Sequence, residues 1–532
     1  MNIAQVLDGL SISIPETAAI VDTVGKHSRV TTFRQLDKMS RRVSSALRAC
    51  GIGYGDRLLM VVPMSLDTYV ILLAIFRIGA TAVFVDASAG LRNVRRCLEL
   101  SRPKAIIAPP TVQAILRVLR IGVDIPCKLD PHTLADIEQA GHGDAIENQD
   151  DEHLEVVDSD HPALITFTSG STHTPKGIVR THGFLLAQHE ILSKHFPTEA
   201  GDIELTTLPI FVLSNIAAGV TTVLPNADMR KPGSVNAGKV IAQMQIHRTS
   251  RLLASPAFLE RIVDHCESRA IQLPEINRIL TGGGPVLPGL LVRLKKIMPN
   301  ASVVIAYGST EAEPVAHIAL SEISEADFEL MRTGHGLLVG KPISEVSLQL
   351  IPERSPSYRR SVRSHLVDGT TPHDTAGEIV VSGPHVVTEY LDGLGDHETK
   401  IRVGGTIWHR TGDAGYLDGQ GRLWLLGRMS ARIEDAKGVV YPFQVEVAAS
   451  ENKAVSRATC VRVRGRRVLV IEEKKTSIIY RVKQLFLSPH VLTQWKEQFP
   501  WLSFDGFRIV PKIPVDRRHN SKILYNELMR VL

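Results

Sequence analysis

Cysteine is scarce: five residues in 532, at Cys50, Cys97, Cys127, Cys266 and Cys460. They are scattered, odd in number and without metal-ligand spacing. A disulfide framework and a zinc site are therefore not expected, and the thiols read as reduced, mostly buried residues of a cytosolic protein. Charge of one sign is also lacking, with a formal net charge of +5. There is no basic stripe interleaved with aromatics, so nucleic acid is not an expected partner. The small basic group Arg359, Arg360 and Arg363 lies in a Ser/His/Pro-rich stretch and reads as a solvated insertion. No long hydrophobic run occurs. The longest, around Tyr69–Ile78, is interrupted by Arg77 and is too short for a bilayer. The opening MNIAQVLDGL has neither a basic nor a long apolar region, so no signal peptide is expected. Internal repeats and low-complexity tracts are absent. These absences predict a soluble cytoplasmic chain with no integral membrane segment. Its 44% apolar and 22% charged residues are ordinary for a globular protein. Its length calls for more than one core.

What is present is a strand–helix alternation. Arg57–Pro63 reads as a buried strand, Leu66–Ile78 as a helix, Thr81–Asp86 as a strand, Asn93–Leu100 as a helix and Lys104–Ala108 as a strand. The rhythm resumes at Ile203–Pro209, Thr221–Pro225, Arg251–Ala254, Arg278–Thr281 and Ser302–Ala306. This pattern predicts mainly parallel sheets with helices on both faces. From about Pro372 the texture changes to short alternating strands with Gly/Asp turns. After Gly427 the chain reads as a small α+β unit ending in a helix from about Ile523. The stretch Asp130–Glu155 reads as a solvated connection.

Residues 164–182, LITFTSGSTHTPKGIVRTH, carry the strongest chemical signal. A β-branched strand gives way to small hydroxyl and glycine residues, then to Lys176 and a second strand. Glycine admits close backbone approach, hydroxyls donate, and a lysine adds a mobile charge: a nest for nucleotide phosphates. The spacing is not that of the Walker loop, because Gly177 rather than Ser or Thr follows Lys176. On its own the run could be an ordinary Ser/Thr/Gly surface loop.

Further segments follow in order. Thr281-Gly282-Gly283-Gly284-Pro285 comes after a strand, Ala306-Tyr307-Gly308-Ser309-Thr310-Glu311 closes another, Thr411-Gly412-Asp413 precedes Tyr416-Leu417-Asp418, and Gly427-Arg428 opens the last unit. Taken singly, Tyr307 could be a core tyrosine, Glu311 a helix-start carboxylate, Asp413 and Asp418 turn residues, and Arg428 and Lys522 surface charges. Together with Thr32–Leu36, Gly53–Arg57 and Gly79-Ala80, the set resembles, over essentially the whole chain, the adenylate-forming superfamily of acyl-CoA synthetases, luciferases and peptide-synthetase adenylation domains. The wording PVDRRHNSKI, with Trp408–Asp413, Gly421–Trp424 and Arg180–Phe184, is nearest to the olefin β-lactone synthetase branch.

The resemblance implies an α/β fold. A large domain, 1–427, would combine mixed, mainly parallel sheets sandwiched by helices with a distorted β-barrel. A small mobile α+β domain, 428–532, would carry the catalytic lysine. It also implies roles. Thr168, Ser169, Gly170, Ser171, Thr172 and Lys176 would hold the β- and γ-phosphates of ATP, and Gly282, Gly283 and Gly284 would lie against the base. Tyr307 would pack on adenine, with Gly308 and Ser309 beside it. Thr310 would contact phosphate and Glu311 hold magnesium, while Asp413 and Arg428 would bind ribose. Lys522 would pair the substrate carboxylate with the α-phosphate. Phe211, Val212 and Ile216 would wall the acid pocket. The expected ligands are ATP, Mg2+ and a small-molecule acid, with CoA as an alternative acceptor and an acyl-carrying or pathway protein as a partner.

The chain departs from the family pattern at three places. His173 stands where the phosphate loop has glycine. Val212 replaces a histidine common in CoA ligases, and no Asp follows Phe211 to meet an amino-acid ammonium. Ser430 occupies the hinge position of the family. The expected function is ATP-dependent activation of a fatty or β-hydroxy acid, followed by β-lactone formation or transfer to a thiol. The alternatives are a CoA ligase and a nucleotide-binding regulator without catalysis.

Overall fold

The computed structural model describes residues 2–25, 27–85, 90–135, 154–168, 175–352, 373–452, 454–473, 495–497, 499–516 and 522–532. Ser169, Gly170, Ser171, Thr172 and His173 of the phosphate loop lie outside the described residues, as do Arg359, Arg360 and Arg363 and most of the connection before Leu154.

The alternating segments form two large sheets. One has six strands in the order Cys127–Leu129, Ala105–Ile107, Arg57–Met60, Thr81–Phe84, Pro162–Thr168 and Lys176–Thr181. All pairs are parallel except the last. The other has 14 strands among the described residues. Its parallel half includes Thr221–Val223, Ile203–Thr206, Arg251–Ala254, Arg278–Thr281 and Ser302–Ser309. These strands are largely buried, polar Thr222, Glu204 and Thr206 included, because both faces are covered, as parallel sheets require.

The helix Leu66–Arg77 has no exposed face: all of its residues are buried. It opens on an N-cap in which the Ser65 hydroxyl accepts from the Thr68 amide. Phe76, Val70 and Leu73 pack with Phe33 and Leu36 of the helix Phe33–Ala49 and with Val212 and Ile216 of the helix Pro209–Ala217. A helix apolar all round is the kind that fills a core rather than lining a surface. Arg77, at its end, is only 3% exposed and is neutralised by Asp8 and Asp37, as a buried charge must be.

The antiparallel strands expected as a distorted barrel continue the 14-stranded sheet. Leu337–Pro342 pairs with Ala312–Ala319 and with Leu423–Arg428, and the latter leads on to Thr406–Leu417, Gly377–Ser382 and Ser347–Ile351. Among the described residues no strand pair closes this run into a ring.

The C-terminal residues form a separate three-stranded sheet of Val455–Val463, Arg466–Glu473 and Gly506–Val510 with its own apolar clusters. The helices Pro442–Ala449 and Tyr525–Val531 accompany it. The fold is α/β with a C-terminal α+β part, as the sequence pattern predicts.

Candidate active site

The strand Ser302–Ser309 buries Val303 and Ile305 and delivers Tyr307, Gly308 and Ser309 at its end, where Thr310 and Glu311 turn the chain into Ala312–Ala319. The neighbouring strand Arg278–Thr281 ends in Gly282, Gly283 and Gly284. A Cβ on Gly282 would stand 2.6 Å from the Ala306 carbonyl oxygen, so only glycine lets the two strand ends lie this close.

Asp413 and Arg428 face each other across the antiparallel pair Thr406–Leu417 and Leu423–Arg428. The Arg428 Nε lies 3.1 Å from Asp413 Oδ1. The Tyr307 hydroxyl donates to Asp413 Oδ2 at 2.9 Å. The structure thus brings three sequence-predicted residues together, with Tyr307 and Arg428 both on the Asp413 carboxylate. Burial pushes the Tyr307 phenol well above its usual range, and the Asp413 charge adds to this, so the phenol remains a donor. The Arg428 guanidinium also donates to the Thr411 carbonyl at 3.0 Å.

A second group surrounds Glu311. The Tyr390 hydroxyl donates to Glu311 Oε1 at 2.9 Å, and the Val387 amide donates to the Glu311 carbonyl at 2.8 Å. Tyr390 is 3% exposed. Two ammonium groups lie over its ring, Lys400 at 5.1 Å and Lys176 at 5.4 Å from the centroid, within cation–π range.

Lys400 is placed by a hairpin. Lys400–Val403 pairs with Thr406–Leu417 across Gly404-Gly405, both at positive φ, so Lys400 sits directly opposite His409. The Lys400 Nζ is 3.2 Å from His409 Nδ1. Burial pulls Lys400 down to about 8 despite Glu311 nearby, and burial with the Lys400 charge pulls His409 down to about 3. His409 is therefore neutral. Burial alone would raise Glu311, but its surroundings, the Tyr390 hydrogen bond and the Lys400 charge among them, outweigh it and hold the carboxyl below its usual range. Glu311 is ionised at neutral pH.

One carboxylate fits magnesium that arrives on a polyphosphate, since this ion takes few protein ligands and completes its shell with phosphate oxygens and water. Among the described residues Tyr390 alone donates a side-chain hydrogen bond to Glu311, on Oε1.

Thr168 and Lys176 are register partners at the two ends of the phosphate loop. The Lys176 Nζ meets Glu398 Oε2 at 2.7 Å. Arg180 donates to Thr166 Oγ1 at 2.7 Å and to the Thr310 carbonyl at 2.8 Å, linking the two large sheets beside Thr310.

Lys522 stands in the C-terminal part, exposed. Its amide donates to Asp516 Oδ1 at 2.8 Å, the Asp516 amide donates to its carbonyl at 2.9 Å, and the next residue, Ile523, packs with Val470, Ile513 and Leu528.

Of the residues expected in the acid pocket, Phe211 lines a cavity with Phe196, Leu253 and Leu280. Val212 and Ile216 face the core around Leu66–Arg77 and line neither of two neighbouring cavities. The helix places 211 and 212 on different sides. Glu204, Asn215 and Arg251 also line the Phe211 cavity.

Tyr390, Glu398, Lys400, His409 and Arg180 join the site without a motif position of their own in the sequence; Arg180 and His409 lie in Arg180–Phe184 and Trp408–Asp413, and Tyr390 ends the short-strand stretch from Pro372.

The AMP-binding enzyme family matches residues 13–391. The chain belongs to this family. An olefin beta-lactone synthetase of Stenotrophomonas maltophilia (strain K279a) is 30% identical to this AMP-binding enzyme over 537 residues, 97% of this chain and 94% of the other. The olefin beta-lactone synthetase of Xanthomonas campestris pv. campestris is also 30% identical, over 98% of this chain and 96% of its own. In fold, the chain is similar to the O-succinylbenzoate coenzyme A synthetase of Bacillus subtilis, solved in complex with ATP and magnesium ion. The TM-score is 0.75 at 22% identity, covering 98% of each chain. The AMP-binding enzyme is an adenylate-forming ligase. Among its described residues no helix is long and apolar enough to cross a membrane.

Proposed function

We infer that this enzyme uses ATP to convert a β-hydroxy fatty acid to its acyl-adenylate, releasing pyrophosphate, and that the substrate's own hydroxyl then closes a β-lactone and expels AMP. The observation that carries this reading is the 30% identity, over nearly the full length of both chains, to two olefin beta-lactone synthetases. Val212 in the core, where CoA ligases commonly have a histidine, agrees with an acceptor other than CoA.

The site residues suit the adenylation step. Tyr307, Asp413 and Arg428 offer a hydroxyl, a carboxylate and a guanidinium to the nucleoside and α-phosphate. Lys176 offers an ammonium to the leaving pyrophosphate. Glu311 would hold magnesium, which supplies charge neutralisation on the phosphates when bound. Lys522 pairs the substrate carboxylate with the α-phosphate, so that negative charge is compensated as the new bond forms. The chain from 428 to 532 acts as the small domain that brings Lys522 in and, on closing, excludes water from the adenylate. The apolar wall by Phe211 receives the acyl chain.

The test is ATP–pyrophosphate exchange with a panel of fatty, β-hydroxy and aryl acids, followed by mass analysis of products with and without CoA. Exchange with a β-hydroxy acid, and a CoA-independent product one water lighter, is the expected result. A CoA thioester would replace this reading with that of an acyl-CoA ligase. No exchange with any acid would overturn it.

A further inference from the structure

Glu311 donates its own amide to the Ser309 hydroxyl at 3.3 Å, and it is held further on its carbonyl and on its carboxylate. The backbone support is Val387, whose amide donates to the Glu311 carbonyl at 2.8 Å. The side-chain support is Tyr390, whose hydroxyl donates to Oε1 at 2.9 Å. Both supports lead to the same side chain. The Lys400 ammonium donates to the Val387 carbonyl, and it stands over the Tyr390 ring at 5.1 Å. Its remaining described partner is the neutral His409 imidazole. Among the described residues no carboxylate forms an ion pair with Lys400, so its charge is not spent on a structural salt bridge. A half-buried ammonium without a direct ion pair is costly, and here only the more distant charges of Glu311 and Asp396 offset that cost.

We propose that Lys400 is a positioning residue for the metal–triphosphate complex: one ammonium clamps the Val387 carbonyl and the Tyr390 ring, and through both it holds the Glu311 carboxylate in place. This rests on the reading of Glu311 as the metal-bearing carboxylate. The net negative charge of a metal–triphosphate complex would add to the field of Glu311 and Asp396, which act on Lys400 without pairing with it. Lys176, over the same ring, would meet the phosphates directly, whereas Lys400 acts from behind Tyr390.

The experiment is calorimetric titration with α,β-methylene-ATP and Mg2+, an analogue whose α–β linkage resists adenylation. It is accompanied by ATP- and Mg2+-dependence of pyrophosphate exchange and by the thermal midpoint of each variant. Lys400→Met is expected to weaken analogue binding about tenfold, as loss of a charge-assisted contact does. Lys400→Arg is expected to keep most of the affinity. Tyr390→Phe should weaken binding similarly. The double variant should lose little more than either single one, because both act on one carboxylate. In kinetics the change should fall mainly on the KM for the metal–nucleotide, with kcat altered less. If Lys400→Met does not fold, Lys400→Gln, which keeps a donor for the Val387 carbonyl and removes only the charge, carries the same comparison. Unchanged affinity in a folded Lys400 variant, or additive losses in the double variant, would overturn the proposal while leaving the site intact. Failure of the wild-type chain to bind the analogue with Mg2+ would overturn the nucleotide-site reading and the role of Lys400 with it.

Discussion

Lys176 and Glu398 form an ion pair, Nζ to Oε2 at 2.7 Å, in which the lysine is buried and the glutamate is 41% exposed in its side chain. Glu398 therefore occupies the ammonium that polyphosphate would claim. Replacing it by Gln removes a competitor without removing bulk. Glu398→Gln is expected to lower the KM for ATP about two- to fivefold, the scale of a solvent-screened pair. The ATP dependence of pyrophosphate exchange measures this, and a raised KM would show that Glu398 assists binding instead.

Asp413 receives the Tyr307 hydroxyl on one oxygen and Arg428 on the other. Asp413→Asn keeps the shape but loses the charge and places an amide donor against one of these two donors. Nucleotide affinity should fall by about one to two orders of magnitude, the range for disturbing a partly buried charged network. Calorimetry with α,β-methylene-ATP is the check, and binding within twofold of wild type would remove Asp413 from the nucleotide site.

On the proposed role, Lys522→Ala should depress kcat for exchange by at least about a hundredfold, because the charge that would meet the developing transition state is lost. The same variant should bind the nucleotide almost as well as wild type. Full activity in this variant would end the assignment of Lys522 as the adenylation lysine.

The Tyr525 hydroxyl donates to Glu446 Oε1 at 2.9 Å, tying the C-terminal helix to Pro442–Ala449. Burial pushes the Glu446 carboxyl from its ordinary value of 4.5 up to about 8. The folded chain thus keeps a proton that the unfolded chain gives up. This contribution to stability is fully present below about 4.5, declines as pH rises from there, and is gone above about 8. Urea unfolding between pH 5 and 9 should show the decline in wild type, and Glu446→Gln should flatten it. An unchanged slope in the variant would assign the dependence to another group.

The parts of the site that follow strands were legible in the sequence. Tyr307 and Gly282 come at the ends of apolar runs, and a parallel strand end is where such a sheet presents loops to a ligand. Asp413 and Arg428 were each recognisable, but their pairing depends on antiparallel register, which no local pattern encodes. Tyr390 and Lys400 were not legible. Tyr390 reaches Glu311 beside an isolated bridge to Ile178, more than two hundred residues earlier in the chain. Lys400 reaches it through a glycine hairpin whose register is set by the turn. Val212 and Ile216 show a related difficulty. An apolar stretch announces burial, but the angle of the helix decides which residues meet the core and which meet a cavity. The expected barrel merged into the large sheet because Leu337–Pro342 has partners on both edges.

That shared strand has a consequence for how the family can vary. Tyr307, Asp413 and Arg428 ride on one hydrogen-bonded lattice, so their mutual spacing is set by backbone repeat and not by side-chain volume. Thr168 and Lys176 ride on a second lattice, and Lys522 borders a third. Packed side chains and side-chain hydrogen bonds such as those of Arg180, not backbone repeat, determine the gaps between the three. Substitutions in those interlayers can therefore widen or narrow the room for an acid while each lattice keeps its own grip unchanged. On the proposed function, substrate size is then free to drift where nucleotide chemistry is not.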